Sequence, residues 1–285
     1  MSVVKEFELY NTLAIQVSKR FTTAYSTSFS LGIRLFAKPL RDPIYSIYGF
    51  VRLADEIVDT WHSLDQKQEL DTLEADCKKA INSNFSANPI LHAFARVVNL
   101  YHLEPELIDA FIASMRLDLT KSSYTLAEYE TYIYGSAEVI GLMCLRVFCD
   151  GDTAEYERLK PGARALGSAF QKVNFLRDLG ADSDSLGRMY FPGTSSTSFS
   201  EADKLHIIAD IEADFAKALP ALNDLPHTAR LGVRLAYVYY KELLKKIRRT
   251  EASTLRQQRI RVSDPMKICL FASVYTQERL LRRWN

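Results

Sequence analysis

The sequence predicts an all-α fold, read as one domain over residues 1–285, and three observations carry that expectation. Apolar residues recur at steps of three and four along most of the chain, and no stretch alternates convincingly at period two. Glycine and proline are few for the length, at eleven and nine in 285 residues, which favours long helices over a sandwich or barrel. No internal repeat and no polar linker divides the chain. A hydrophobic content of 47% is ample for a sizeable core.

Taken in order, Phe7 to Tyr25 reads as a first helix, ended by the polar run Ser26-Thr27-Ser28. Proline marks several later starts at Asp42-Pro43, Asn88-Pro89, Glu104-Pro105 and Asp264-Pro265, because the first helical turn needs no donor there. Asn82 to Ala87 reads as a short loop, and Thr125 with Glu128 and Ser198 with Glu201 have capping-box spacing. The helix that carries Ala169 onward is expected to loosen at Gly180. Ala181 to Ser200 then reads as the one long non-helical stretch, either a flap over the acidic helix or a plain connector.

Net charge is +1, so no global field draws nucleic acid or an anionic membrane, and any positive potential for an anionic substrate is local. Cys77, Cys144, Cys149 and Cys269 show neither CxxC nor zinc-ligand spacing, which suits small buried hydrophobes in a reducing compartment. His62, His92, His102, His206 and His227 form no HExxH pair, and no GxGxxG or nucleophile elbow occurs. The N-terminus lacks a signal-peptide pattern. The most apolar window, Val139 to Phe148, is too short to span a bilayer and contains Arg146. A cytoplasmic location is expected, with at most peripheral contact with a membrane.

Two stretches stand apart. In Ile44 to Trp61, Ile44, Ile47, Val51, Ala54 and Val58 form an apolar stripe, while Tyr48, Arg52, Asp55 and Asp59 form a second, polar one. In Ala169 to Pro192, Gln171, Asn174, Asp178 and Asp182 climb one helical face, with Arg177 beside them. Neither pair of aspartates has a lysine at the offset of a surface ion-pair ladder. Facing each other, the stripes would bring four carboxylates and an amide into one space, a self-repelling cluster that suits hard divalent cations, Mg²⁺ above all.

Asp55-Glu-Ile-Val-Asp59 and Asn174-Phe-Leu-Arg-Asp178-Leu-Gly-Ala-Asp182 resemble the two aspartate-rich motifs of the squalene/phytoene synthase family. Their flanks, Tyr48-Gly-Phe-Val-Arg52 and Gly187-Arg-Met-Tyr-Phe-Pro192, match as well, and the resemblance runs from about Tyr25 to the Lys267 region. It implies an isoprenoid-synthase-type helical bundle around a central cavity. The implied reaction is head-to-head condensation of two geranylgeranyl diphosphates to phytoene through a cyclopropyl intermediate. Condensation of farnesyl diphosphate to squalene or dehydrosqualene is the alternative within the family.

The resemblance also implies a site. Asp55, Asp59, Asn174, Asp178 and Asp182 would hold Mg²⁺, with Mn²⁺ as an alternative ion, and NADPH is not expected. Arg52 and Arg177 suit diphosphate oxygens, because a guanidinium fork matches phosphate geometry. Tyr25, Ser26, Thr27 and Ser28 look like the family's N-terminal substrate turn, and Tyr48 and Gln171 match substrate contacts. Tyr240, with Arg259 or Arg261 nearby, resembles the last helix and basic turn of the family, whereas Lys245, Lys246, Arg248 and Arg249 suit a solvated face. Tyr132 belongs to a stretch like the helix that lines the family's cavity, and Asp118 matches a further acidic position. Ser136-Ala137-Glu138 departs from the family's usual Val-Ala-Gly, so Glu138 could alter the cavity or pair with an arginine. A non-catalytic relative would lack motif aspartates that this chain retains. A head-to-tail transferase or cyclase would lack the Gly187 to Pro192 tail.

Overall fold

The computed structural model describes residues 3–186, 188–194 and 199–281, with side chains for all of these but 3–6, 27–29, 181–186 and 277–281. Helices α1 (Val3–Tyr25) and α2 (Thr27–Ile33) precede α3 (Lys38–Asp59), α4 (Gln66–Ser83), α5 (Pro89–Tyr101) and α6 (Pro105–Asp118). Helix α7 (Leu126–Ile133) runs through a π turn (Tyr134–Glu138) into α8 (Val139–Cys149). Then follow α9 (Thr153–Leu186), α10 (Glu201–Asp224), α11 (His227–Arg249), α12 (Ala252–Leu255) and α13 (Asp264–Leu281). Among the described residues the only strand-like pairing is a single bridge between Ser123 and Met189. The fold is all-α, as the sequence predicts.

Local chemistry explains most boundaries. Asn88 caps α5, its side chain accepting from the amides of Ile90 and Leu91, with Pro89 in the first turn. Thr125 and Glu128 form the expected capping box of α7. Other boundaries differ from expectation. Helix α3 opens at Lys38, with Pro39 in its first turn, and Pro43 lies inside it. Pro43 is near enough to the start to forfeit little of the hydrogen-bond ladder. The box that opens α10 pairs Ser200 with Asp203; Ser198 lies outside the described residues.

The largest difference concerns α9. It continues through Gly180 to Leu186, so the long non-helical stretch begins later than expected. Gly180 does not loosen the helix. It admits another chain segment, because a Cβ there would lie 2.4 Å from the carbonyl oxygen of Arg256.

Two apolar clusters organise the bundle. One joins α3, α5, α6 and α8 around Phe50, which stacks on Phe94 with centroids 4.1 Å apart. The other joins α9, α10, α11 and the segment 188–191 around Phe175 and Tyr190, stacked at 4.0 Å. Polar ties register the second cluster. Lys172 of α9 meets Asp210 and Asp214 of α10 at 2.5 and 2.8 Å. The buried Lys204 reaches the carbonyl of Thr250 at the end of α11 at 2.5 Å.

The α7–π–α8 run, Leu126–Cys149, is long and apolar enough to cross a membrane by length and composition, and 67% of its apolar window is buried inside the fold. Burial to that degree marks a core helix. Gly180→Ala should overpack the α9–α12 contact and cost about 2 kcal/mol, read as a lowered midpoint in denaturant unfolding.

Candidate active site

Helix α3 divides as its sequence requires. Ile44, Ile47, Val51, Ala54 and Val58 are all buried, whereas Tyr48, Arg52, Asp55 and Asp59 reach solvent in part. Arg52 donates to Asp55 at 3.4 Å and to the buried Glu56, and its guanidinium lies 4.7 Å above the ring of Tyr25. Across from this stripe, Gln171, Asn174 and Arg177 of α9 face the same cavity as Tyr48. That cavity holds about 360 Å³. Its polar lining includes Ser26, Tyr48, Gln171, Asn174, Arg177, Tyr240 and Lys267. The remaining walls are chiefly aliphatic and aromatic.

The second stripe is held by hydrogen bonds from outside its own face. Tyr240 donates to Asn174 Oδ1 at 3.1 Å and stacks on Phe170 at 4.1 Å. Gln171 reaches the hydroxyl of Ser136 at 3.4 Å. Two guanidiniums grip Asp178: Arg177 at 2.5 Å and Arg259, whose Nε lies 2.7 Å from Oδ1. Arg261, the other basic candidate, contributes its carbonyl to Lys246 at 2.6 Å. Cys144 lines the cavity, and burial pushes its thiol up to about 12, so it is a neutral apolar wall.

Tyr132 sits elsewhere. It is not among the cavity's lining; it is 3% exposed and donates to Asp118 Oδ2 at 2.8 Å. Around Asp118 a buried network forms that the sequence reading did not assemble. Arg188 donates to the Asp118 carbonyl at 2.8 Å and to Asp59 Oδ1 at 2.9 Å, and Tyr190 donates to Asp118 Oδ1 at 3.4 Å. Arg188 is 7% exposed. Burial opposes its charge, and Asp118, Tyr190 and Asp59 outweigh that penalty. The available signal was a cation set between apolar neighbours in Arg188-Met-Tyr-Phe191, a context foreign to a solvated face.

Electrostatics follow from this crowding. Desolvation pushes Asp55 up to about 7, with Asp59 adding to the rise and Arg52 opposing it. Desolvation pushes Asp118 to about 7 as well, against the pull of Arg188. Among the described residues no three His, Cys, Asp or Glu side chains converge as a metal cage. Among the described residues the acids meet guanidiniums in two groups, Asp55 and Asp59 with Arg52 and Arg188, and Asp178 with Arg177 and Arg259. Like charges repel and seek cations, which here are guanidiniums. The side chains of Asp182, Thr27 and Ser28 lie outside the described residues. Glu138 faces away from the cavity and pairs with Arg164 at 2.6 Å, so its replacement of glycine leaves the lining untouched.

A family model described as squalene/phytoene synthase matches residues 22–265. The chain is 28% identical to a phytoene synthase from Arthrospira platensis over 274 residues, covering 85% of this chain and 86% of the relative. It is 28% identical to the 15-cis-phytoene synthase of Synechococcus elongatus over 283 residues, covering 90% of each. Among solved structures, a dehydrosqualene synthase superposes with a TM-score of 0.80 at 21% identity, covering 96% of this chain and 99% of the other. A squalene synthase from Alicyclobacillus acidocaldarius gives 0.74 at 22%, covering 85% and 95%. The fold is thus that of squalene-type synthases, and the chain is a prenyl transferase. The chain belongs to the squalene/phytoene synthase family.

Arg188→Met should raise the Asp118 pKa still further and destabilise the fold by about 1.4 kcal/mol for each pH unit above about 7, until the variant's own pKa is passed. Protonation favours the folded state of a group whose pKa is raised. The deficit should therefore shrink as pH falls below about 7 and grow as pH rises through it, measured by urea unfolding across pH 5.5–8.5.

Proposed function

We propose that the chain, acting as one catalytic unit, condenses two geranylgeranyl diphosphates head to head into phytoene through a cyclopropyl diphosphate, without a reductant. One observation supports the reading: Tyr48 of α3 and Gln171, Asn174 and Arg177 of α9, each on a helical stripe that also carries aspartates, line one largely apolar cavity. That is the combination an allylic diphosphate needs, charged at one end and hydrocarbon at the other. The likeness to phytoene synthases over most of their length supports the twenty-carbon substrate.

The donor set fits Mg²⁺. Asp55, Asp59, Asp178 and Asn174 offer only hard oxygen ligands, in pairs rather than a closed cage, and Mg²⁺ is commonly held by one or two carboxylates together with substrate phosphates. Asp182 would join them. Bound there, Mg²⁺ supplies Lewis acidity that makes diphosphate a competent leaving group.

The chain's own residues supply the rest. Arg52, Arg177 and Arg259 are placed to transfer their hydrogen bonds from carboxylates to diphosphate oxygens. Ser26, Tyr48, Gln171 and Tyr240 orient the head group by donors on the cavity's polar rim. Tyr25 holds the Arg52 guanidinium flat against its ring. Below the rim, Phe170 and the aliphatic walls exclude water from a developing carbocation. Tyr132 acts at one remove, fixing Asp118 and through it Arg188 beside Asp59.

Incubation of purified protein with Mg²⁺ and geranylgeranyl or farnesyl diphosphate, followed by mass spectrometry of extracted hydrocarbons, tests the reading. A forty-carbon product indifferent to NADPH is expected. A thirty-carbon product from farnesyl diphosphate alone would move the chain to squalene or dehydrosqualene synthesis. Asp55→Asn and Asp178→Asn should each lower turnover about a hundredfold or more, since loss of an anionic ligand costs several kcal/mol of charge stabilisation. Tyr48→Phe should be milder. Because Asp55 titrates near 7, a proton competes with the metal below that pH. The Mg²⁺ concentration for half-maximal rate should rise by up to about tenfold per pH unit as pH falls below about 7, and plateau above it.

A further inference from the structure

Helix α1 carries apolar residues on two faces, and the fold accounts for one of them. The inner face packs on α3 and α5. There Asn11 Oδ1 lies 2.8 Å from Nε2 of the buried His92, and the Thr22 hydroxyl donates to the Tyr45 carbonyl at 3.5 Å. Ser18 sits so close to α3 that a Cβ on Gly49 would lie 3.0 Å from the Ser18 Cβ. Asn11, Ala14, Ser18 and Thr22 are all buried, at the steps of three and four that mark one side of a helix.

The outer face is different. Leu9, Leu13 and Val17 follow at steps of four and are 52, 46 and 38% exposed. At about 100° per residue they lie within roughly 80° of arc, on the side away from the buried stripe. Scattered exposed leucines need no explanation, but three aliphatic residues in line along one helix do.

The symmetry of the stripe indicates what covers it. Residue 6 is glutamate and residue 20 is arginine, seven positions before and after Leu13, and the helical repeat sets both positions on the line of the stripe. Leu9 and Val17 stand four before and four after. Read from either end, the order is charge, aliphatic, Leu13, aliphatic, charge, and the two charges are opposite in sign. Laid antiparallel on a second copy with Leu13 at the crossing, each aliphatic residue meets another, and Glu6 meets the partner's Arg20. A two-fold interface requires this self-complementarity, because the same patch serves both subunits. An anionic bilayer would instead favour cations at both ends of the stripe, and a glutamate in line with it opposes that.

We propose that the outer stripe of α1 is a self-association surface, on which two copies of this chain pack α1 against α1 antiparallel about Leu13. The surface is independent of the reaction assigned to the cavity. Three aliphatic side chains from each copy make a small seam, so the dimer is reversible rather than obligate.

The test is sedimentation velocity of the full chain from about 1 to 200 µM, the range over which small interfaces dissociate. The proteins are wild type, Leu13→Glu, Arg20→Glu and the double exchange Glu6→Arg with Arg20→Glu. Leu205→Glu on α10 serves as the exposed-leucine control, and circular dichroism checks folding. Wild type should shift toward twice the chain's mass as concentration rises. Leu13→Glu sets two carboxylates together at the crossing and should weaken dimerisation by about tenfold or more. Arg20→Glu should do the same, because its new acid faces the partner's Glu6. The double exchange should restore association to within about threefold of wild type, and the control should behave as wild type. Wild type that stays monomeric throughout would overturn the proposal, as would a dimer indifferent to Leu13→Glu. Loss in Arg20→Glu with no recovery in the double exchange would overturn the antiparallel register and the proposal with it. Co-sedimentation with vesicles of phosphatidylcholine and phosphatidylglycerol addresses the other occupant. Vesicle binding by wild type that Leu13→Glu abolishes, with no dimer in solution, would assign the stripe to a membrane surface and overturn self-association.

Discussion

Carboxylates around a low-dielectric recess cannot be left to face one another, and the molecule's central arrangement answers that constraint. Asp59, Asp118 and Asp178 each meet a guanidinium, supplied by Arg188 to the first two and by Arg177 and Arg259 to the third. Those arginines come from the end of α9, the segment after it, and the turn after α12. The ion pairs thus tie together parts of the chain that are distant in sequence. Asp55 is the least compensated of the group: it shares Arg52 with the buried Glu56 and titrates near neutrality. The same unfavourable term that makes the acids costly to bury makes them receptive to a cation.

Much of this was legible in the sequence. The two stripes of α3 could be read because an amphipathic helix writes its faces at steps of three and four, and every apolar member is buried. The polar members of α9 were equally plain. Less legible were interactions that depend on chain reversal. Arg188 bonds Asp59 and Asp118 across 129 and 70 positions, and no local pattern encodes such a partner. Tyr132 was expected at the cavity because its stretch resembles the helix that lines the family's cavity; its neighbours Ser136 and Ile140 are there, but its own hydroxyl bonds Asp118. The end of α9 was misjudged for a simpler reason. Glycine lowers helix propensity, but the close approach of the Arg256 carbonyl gives Gly180 a packing role that outweighs propensity.

The cavity shows how the fold separates two demands. Diphosphate recognition needs charges and donors that tolerate water at the rim, whereas a carbocation needs walls without nucleophiles. On the proposed reading Ser26, Tyr48 and the α9 stripe would provide the first, and the Cys144 thiol in the same lining is held neutral by burial. Glu138, the departure that threatened the lining, spends its charge on Arg164 at the far side of the helix, beside the ring of Tyr134.

The π turn at Tyr134–Glu138 makes that separation possible within one rod. In an unbroken α-helix, positions 132, 136, 140 and 144 would share one stripe. The π turn bonds five residues back instead of four, so the winding slips out of phase there. Tyr132 before the π turn serves the polar network, and Ser136 within it and Ile140 and Cys144 after it line the cavity. The most apolar helix of the chain is thus two surfaces spliced at an offset. Its halves address different chemistries without a loop between them, and the stagger of the splice, rather than either half alone, sets how the polar rim is indexed against the hydrocarbon walls.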